Sequence, residues 1–201
     1  MPSADYHFLA YWRVPGTVEE VKAILSDPCE LPRWWPSVYL SVEELRPADE
    51  RGLGREVALH TKGWLPYTLR WSFTVTEVHP NGFSLEARGD IVGRGIWTFV
   101  PDGADVIVVY DWQIHADKPL LRNLGFMLRP AFEADHRWAM ARGEESLKLE
   151  LARRRAGAEP LPLPAPPGPT RWPRPSTAIV GAAGLLAGLW LVRRRSKRQR
   201  R

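Results

Sequence analysis

Two stretches of this chain repeat with a period of two, and nothing else in it restricts the fold as much. Leu69, Trp71, Phe73 and Val75 alternate with Thr68, Arg70, Ser72 and Thr74; Val106, Val108, Tyr110, Trp112 and Ile114 form a second series. Successive side chains of a strand point to opposite faces, so each series marks an antiparallel strand with one covered face. The series lie in runs Thr68–Val78 and Val106–His115. Five more runs read as strands: Tyr6–Val14, Val38–Leu45, Gly54–Thr61, Phe83–Ala87 and Ile91–Val100. Turn signals separate them, among them Lys62-Gly63, Pro80-Asn81-Gly82 and Pro101-Asp102-Gly103.

The helical signals lie at the two ends of this strand set. Thr17 and Glu20 have the spacing of a capping box, opening a short helix with Val18, Val21, Ile24 and Leu25 on one face. Arg33-Trp34-Trp35, between Pro32 and Pro36, reads as a second short segment. From Pro119 to Arg155 the apolar spacing becomes helical, and Pro130 predicts a kink or break there.

Beyond residue 156 the composition changes. Residues 157–175 read as a linker, and residues 160–175 hold eight prolines. That density forbids a helix and favours an extended polyproline II spacer of roughly 3.1 Å per residue. Residues 176–192, STAIVGAAGLLAGLWLV, carry no charge, and residues 193–201 hold seven basic residues. A span of the hydrocarbon core needs about 17–25 apolar residues, so a single C-terminal transmembrane helix is predicted. The basic tail suits anionic lipid headgroups. Gly184 and Gly188, four apart, offer a small-residue face for a homodimer through this helix.

Charge and cysteine content narrow the partners. Residues 1–155 carry 19 Lys and Arg against 22 Asp and Glu, so the positive total belongs to the tail and no nucleic-acid partner is expected. Cys29 is the only cysteine, which rules out an internal disulfide and a thiolate zinc site. The N-terminal residues lack a secretory pattern. Together these predict a single-pass membrane protein with its folded domain in the cytoplasm; the side on which the tail lies stays open, because the positive-inside rule argues the other way.

The order of elements is one strand, two short helices, six antiparallel strands and a long C-terminal helix. With VPGTVEEVKAILSDP, LPRWWP, VGRGIWTF, VVYDWQIHADKPLLR and HRWAMARGEESL, the chain resembles the SRPBCC or START-like superfamily, in its polyketide cyclase/dehydrase-like branch. The resemblance covers residues 6–155. It implies an α+β helix-grip fold, a curved sheet around the long helix, with a cavity for a lipid or other hydrophobic small molecule. Some members of the superfamily catalyse cyclisation or dehydration. The resemblance carries over no catalytic motif.

The inward aromatic residues Trp71, Phe73, Trp97, Phe99, Tyr110 and Trp112 either line such a cavity or fill a core; the resemblance favours the cavity. Gly93 and Gly95 lie on the same face as Trp97 and would leave space inside or mark a bend. Trp64 and Tyr67, in the loop after Lys62, and Leu121 and Met127, at the start of the long helix, are the expected mouth. The five histidines lack metal spacing, Glu133 and His136 form half of a carboxylate motif without its second copy, and no phosphate or dinucleotide fingerprint is present. No metal or cofactor is therefore expected. Tyr110 is the one inward candidate for acid–base chemistry. The leading expectation is binding or transfer of a hydrophobic ligand at a membrane; the alternatives are a cyclase/dehydrase-type enzyme and a tethered scaffold.

Overall fold

The computed structural model of the chain describes residues 5–116, 119–157 and 163–171, with α3 side chains from residue 129 onward. Seven strands form one antiparallel sheet: β1 (Asp5–Pro15), β2 (Tyr39–Arg46), β3 (Glu56–Lys62), β4 (Thr68–His79), β5 (Gly82–Gly89), β6 (Ile91–Asp102) and β7 (Asp105–Ala116). Their spatial order is β1-β7-β6-β5-β4-β3-β2. All seven expected strands are present, with bounds shifted by at most two residues. Register places the alternating faces together: Leu59 opposes Trp71, Val57 opposes Phe73, Trp97 opposes Tyr110 and Phe99 opposes Val108.

Between β1 and β2 lie α1 (Val18–Leu25), a 3-10 turn (Pro28–Glu30) and α2 (Leu31–Trp34). The expected capping box is formed. The Glu20 amide donates to Thr17 Oγ1 at 3.3 Å, and the Thr17 amide donates to Glu20 Oε2 at 2.9 Å. The Val21, Ile24 and Leu25 side chains are buried, as their common face requires.

The last helix, α3 (Pro119–Ala156), packs against β1, α1 and α2. Pro130 lies inside this continuous helix, so the break predicted there as the alternative to a kink does not occur. One missing amide is a local loss, and the described part of the helix is anchored further on by the buried Met140, Leu147 and Leu151. Glu150 is also buried on α3, its side chain 1% exposed. Arg33 grips it with two hydrogen bonds of 2.7 and 2.9 Å, and Arg153 and Arg154 each add one at 2.8 Å. Burial acts to raise its pKa, but these donors outweigh that and hold it at about 2.

Residues 163–170 belong to the same unit as the domain, and Leu163, Pro166, Pro167 and Thr170 are half-buried. Among the described residues no helix is long and apolar enough to cross a membrane. The segment 176–192, its glycine pair and the basic tail lie outside the described residues.

Candidate functional site

The concave side of the sheet and α3 border a half-open cavity of about 160 Å³. Its floor is a stack of rings from β4, β6 and β7. Trp97 and Tyr110 lie 4.0 Å apart and nearly parallel, Tyr110 and Trp112 are 5.5 Å apart, and Trp71 adjoins Trp112 at 5.7 Å. The alternation of β6 and β7 puts these rings on one face, and antiparallel pairing brings them side by side. Trp71 Nε1 donates to Thr61 Oγ1 at 3.0 Å, which fixes the ring over β3.

Four expected lining residues, Trp71, Trp97, Tyr110 and Trp112, border the cavity. Phe73 and Phe99 do not; both are buried in the core cluster, and Phe99 is fully buried. Gly93 and Gly95 do not border it either. A Cβ on Gly95 would lie 2.8 Å from the Trp112 ring and 2.9 Å from the Tyr110 hydroxyl. This glycine makes room for neighbouring aromatic side chains rather than for a ligand. At Gly93 a Cβ would collide with the β7 backbone at Gln113. Of the expected mouth residues, Tyr67 borders the cavity and Trp64 is half-buried beside it. The side chains of Leu121 and Met127 lie outside the described residues.

The remaining walls were not legible in the sequence. Tyr6 and Phe8 come from β1, Trp35 and Tyr39 from the α2–β2 junction, Lys62 from the end of β3, and Asp135, His136 and Met140 from α3. Four of the chain's five tyrosines border this one cavity.

Asp135 is the pivot of the rim. Its Oδ1 accepts from the Trp64 amide at 2.7 Å and from the Leu65 amide at 3.2 Å, and its carboxylate also accepts from the Tyr67 hydroxyl. Burial raises its pKa above 3.8, and those donors partly offset the rise. His136 stacks on Phe8 with ring centroids 4.2 Å apart, and its Nε2 is buried without a hydrogen-bond partner. Burial, with Arg137 next to it, lowers its pKa to about 4, so the ring is neutral at physiological pH. Burial likewise pushes the Tyr110 and Tyr39 hydroxyls up, so both stay protonated. Among the described residues no cluster of His, Cys, Asp or Glu could hold a metal ion. The arrangement therefore offers a largely aromatic interior with neutral Tyr and His tips, and with Lys62 and Asp135 in its walls.

A curved antiparallel sheet that grips a long C-terminal helix around such a cavity defines a START-like helix-grip protein. The chain belongs to the polyketide cyclase/dehydrase and lipid transport family, whose profile matches residues 12–150. No curated protein matches the chain. Among solved structures, a protein of Thermus thermophilus is 22% identical, covering 77% of this chain and 100% of its own, with a TM-score of 0.59. A START superfamily protein of Mycobacterium smegmatis is 15% identical, covering 74% and 98%, with a TM-score of 0.59. The Zhui aromatase/cyclase of Streptomyces sp. R1128 is 15% identical, covering 78% and 99%, with a TM-score of 0.58. At these identities the likeness concerns the fold.

Proposed function

We propose that this protein binds an uncharged hydrophobic small molecule, or the apolar end of a lipid, in the aromatic cavity, and that residues 176–201 hold it at a membrane. The observation that carries the reading is the lining: Trp71, Trp97, Tyr110 and Trp112 form one wall, with Tyr and His polar tips that burial keeps neutral. Such a composition suits small-molecule sites, which are mostly apolar with a few placed polar groups. Size bounds the ligand. An apolar cavity of roughly 150 Å³ takes one benzene, so the 160 Å³ here suits one ring or a chain terminus, the rest of a longer ligand passing out through the open side.

Acid–base catalysis is the weaker reading. General bases work best with pKa values near the operating pH. His136 at about 4 is a poor base, Tyr110 is held protonated, and Asp135 is occupied by the rim loop. These features favour binding or transfer over cyclase/dehydrase chemistry.

The test is direct. Native mass spectrometry of the detergent-extracted full chain should show a co-purifying hydrophobic molecule, and 4-fluorophenol should give a saturable ¹⁹F NMR shift that the co-purified molecule displaces. An empty protein that shows no saturable shift would refute ligand binding.

A further inference from the structure

The proline-rich segment is seated. Leu163, Pro166, Pro167 and Thr170 are half-buried, while Pro164, Ala165, Gly168, Pro169 and Arg171 are exposed. The covered positions recur at spacings of three, 163 with 166 and 167 with 170, which is the period of a polyproline II helix. One side of the segment therefore faces protein and the other faces water. A chain that serves only as a spacer has no reason for that asymmetry.

The seat reaches the cavity. Lys62 Nζ donates to the Thr170 carbonyl, and the same Lys62 borders the cavity. It is the one Lys or Arg among the described lining residues. The next residues of this loop, Trp64 and Leu65, are tied to α3 through Asp135. The rim is thus held at neighbouring positions from two directions. The Asp135 tie is internal to the domain, whereas the Lys62 tie comes from a segment that continues toward the apolar C-terminal stretch.

We propose that residues 163–170 are a cis-acting strap that docks through Lys62 on the rim and that its release widens the mouth of the cavity. The gating half of this proposal rests on the cavity being a binding site. A proline-rich strap suits the task because it is extended before docking and loses little conformational freedom on seating. Its hold is one charge-assisted hydrogen bond and a few half-buried side chains, which permits reversible release. Release also frees the Lys62 ammonium at the mouth, where a ligand's polar end would pass.

The experiment uses the full chain in detergent micelles, with micelles alone as reference. ¹⁵N relaxation of the Ala165, Gly168 and Thr170 amides reports docking, and the ¹⁹F line shape of 4-fluorophenol reports the rate of entry and exit. In the wild type the strap amides should be as ordered as the strands, with order parameters of about 0.85 rather than below about 0.6. Lys62→Met should lower them to the flexible range and speed phenol exchange several-fold. Because Lys62 also borders the cavity, the double variant Pro166→Gly with Pro167→Gly loosens the strap alone and should act in the same direction. Flexible strap amides in the wild type would overturn the docking. Strap release without faster phenol exchange would overturn the gating. Ordered strap amides with no phenol binding in any form would remove the binding reading and the gating with it, while docking stands.

Discussion

Gly63 faces the carboxylate of Asp135 so closely that a Cβ at residue 63 would overlap it. The glycine lets the loop after β3 bring the Trp64 and Leu65 amides onto a side chain of α3. A buried carboxylate thereby ties the rim of the cavity to the helix that closes it. Asp135→Ala would leave two amides and the Tyr67 hydroxyl without their acceptor. An unsatisfied buried donor costs about 1–3 kcal/mol. A loss of that size is expected in urea denaturation, with faster exchange of the Trp64 and Leu65 amides. Gly63→Ala should produce the same exchange signature by displacing the carboxylate. Unchanged exchange in both variants would show that the tie does not hold the loop.

Tyr110 lies between Trp97 and Trp112, so Tyr110→Phe keeps the ring stack and removes only the hydroxyl. Stability should change by less than about 1 kcal/mol, while phenol affinity falls roughly three- to tenfold, the worth of one neutral hydrogen bond. Isothermal titration with 4-fluorophenol reads the second number. Equal affinity would place the phenol away from Tyr110.

His136 makes stability depend on pH above the range of the carboxylates. Burial holds its folded pKa at about 4, against 6.5 in the unfolded chain. Between those values the unfolded chain binds the extra proton, so stability falls as pH drops from 6.5 toward 4, by an amount of order 3 kcal/mol. His136→Phe keeps a ring against Phe8 and should flatten that slope. Asp135 titrates with the opposite sign above 3.8, so the effect is read as the difference between wild type and variant. Parallel stability–pH curves would mean that His136 is not held neutral.

Glu150 governs the next window down. Its folded pKa of about 2 lies below the ordinary 4.5. Its ion pairs thus contribute fully above pH 4.5, and the contribution is lost as pH falls toward 2. Breaking a buried pair typically costs about 3–5 kcal/mol, but the three arginines keep 37–46% of their side-chain surface exposed, so water can take over their solvation. Glu150→Gln should therefore cost about 2 kcal/mol at pH 7 and almost nothing at pH 2. Urea midpoints at the two pH values check this.

Membrane attachment is expected to reside in residues 176–201. The full chain should bind vesicles containing phosphatidylserine more tightly than neutral ones, by about 1 kcal/mol for each basic residue that reaches the surface. Replacing the seven basic residues of 193–201 with glutamine should erase the dependence on lipid charge and on salt. Binding that is indifferent to both in the parent chain would remove the tail from the interaction.

Local chemistry was enough to read the scaffold. A strand's faces repeat every two residues whatever it packs against, so the alternation at Leu69–Val75 and Val106–Ile114 specified both strands and their inner faces. The Thr17–Glu20 box closes within one helical turn, and it too was legible. Which inner residue borders empty space was not. Trp97 and Phe99 share one face of β6, yet Trp97 meets the cavity and Phe99 the core, because curvature of the sheet and the placement of α3 decide where packing stops. Asp135 and His136 join the site only when α3 crosses the loop after β3, some seventy residues away in the chain. Likewise composition made residues 163–170 extended, while only the position of Lys62 in the folded domain could give them a seat. Periodicity and capping are properties of neighbours along the chain; a cavity is where distant surfaces fail to meet, and only the tertiary structure decides that.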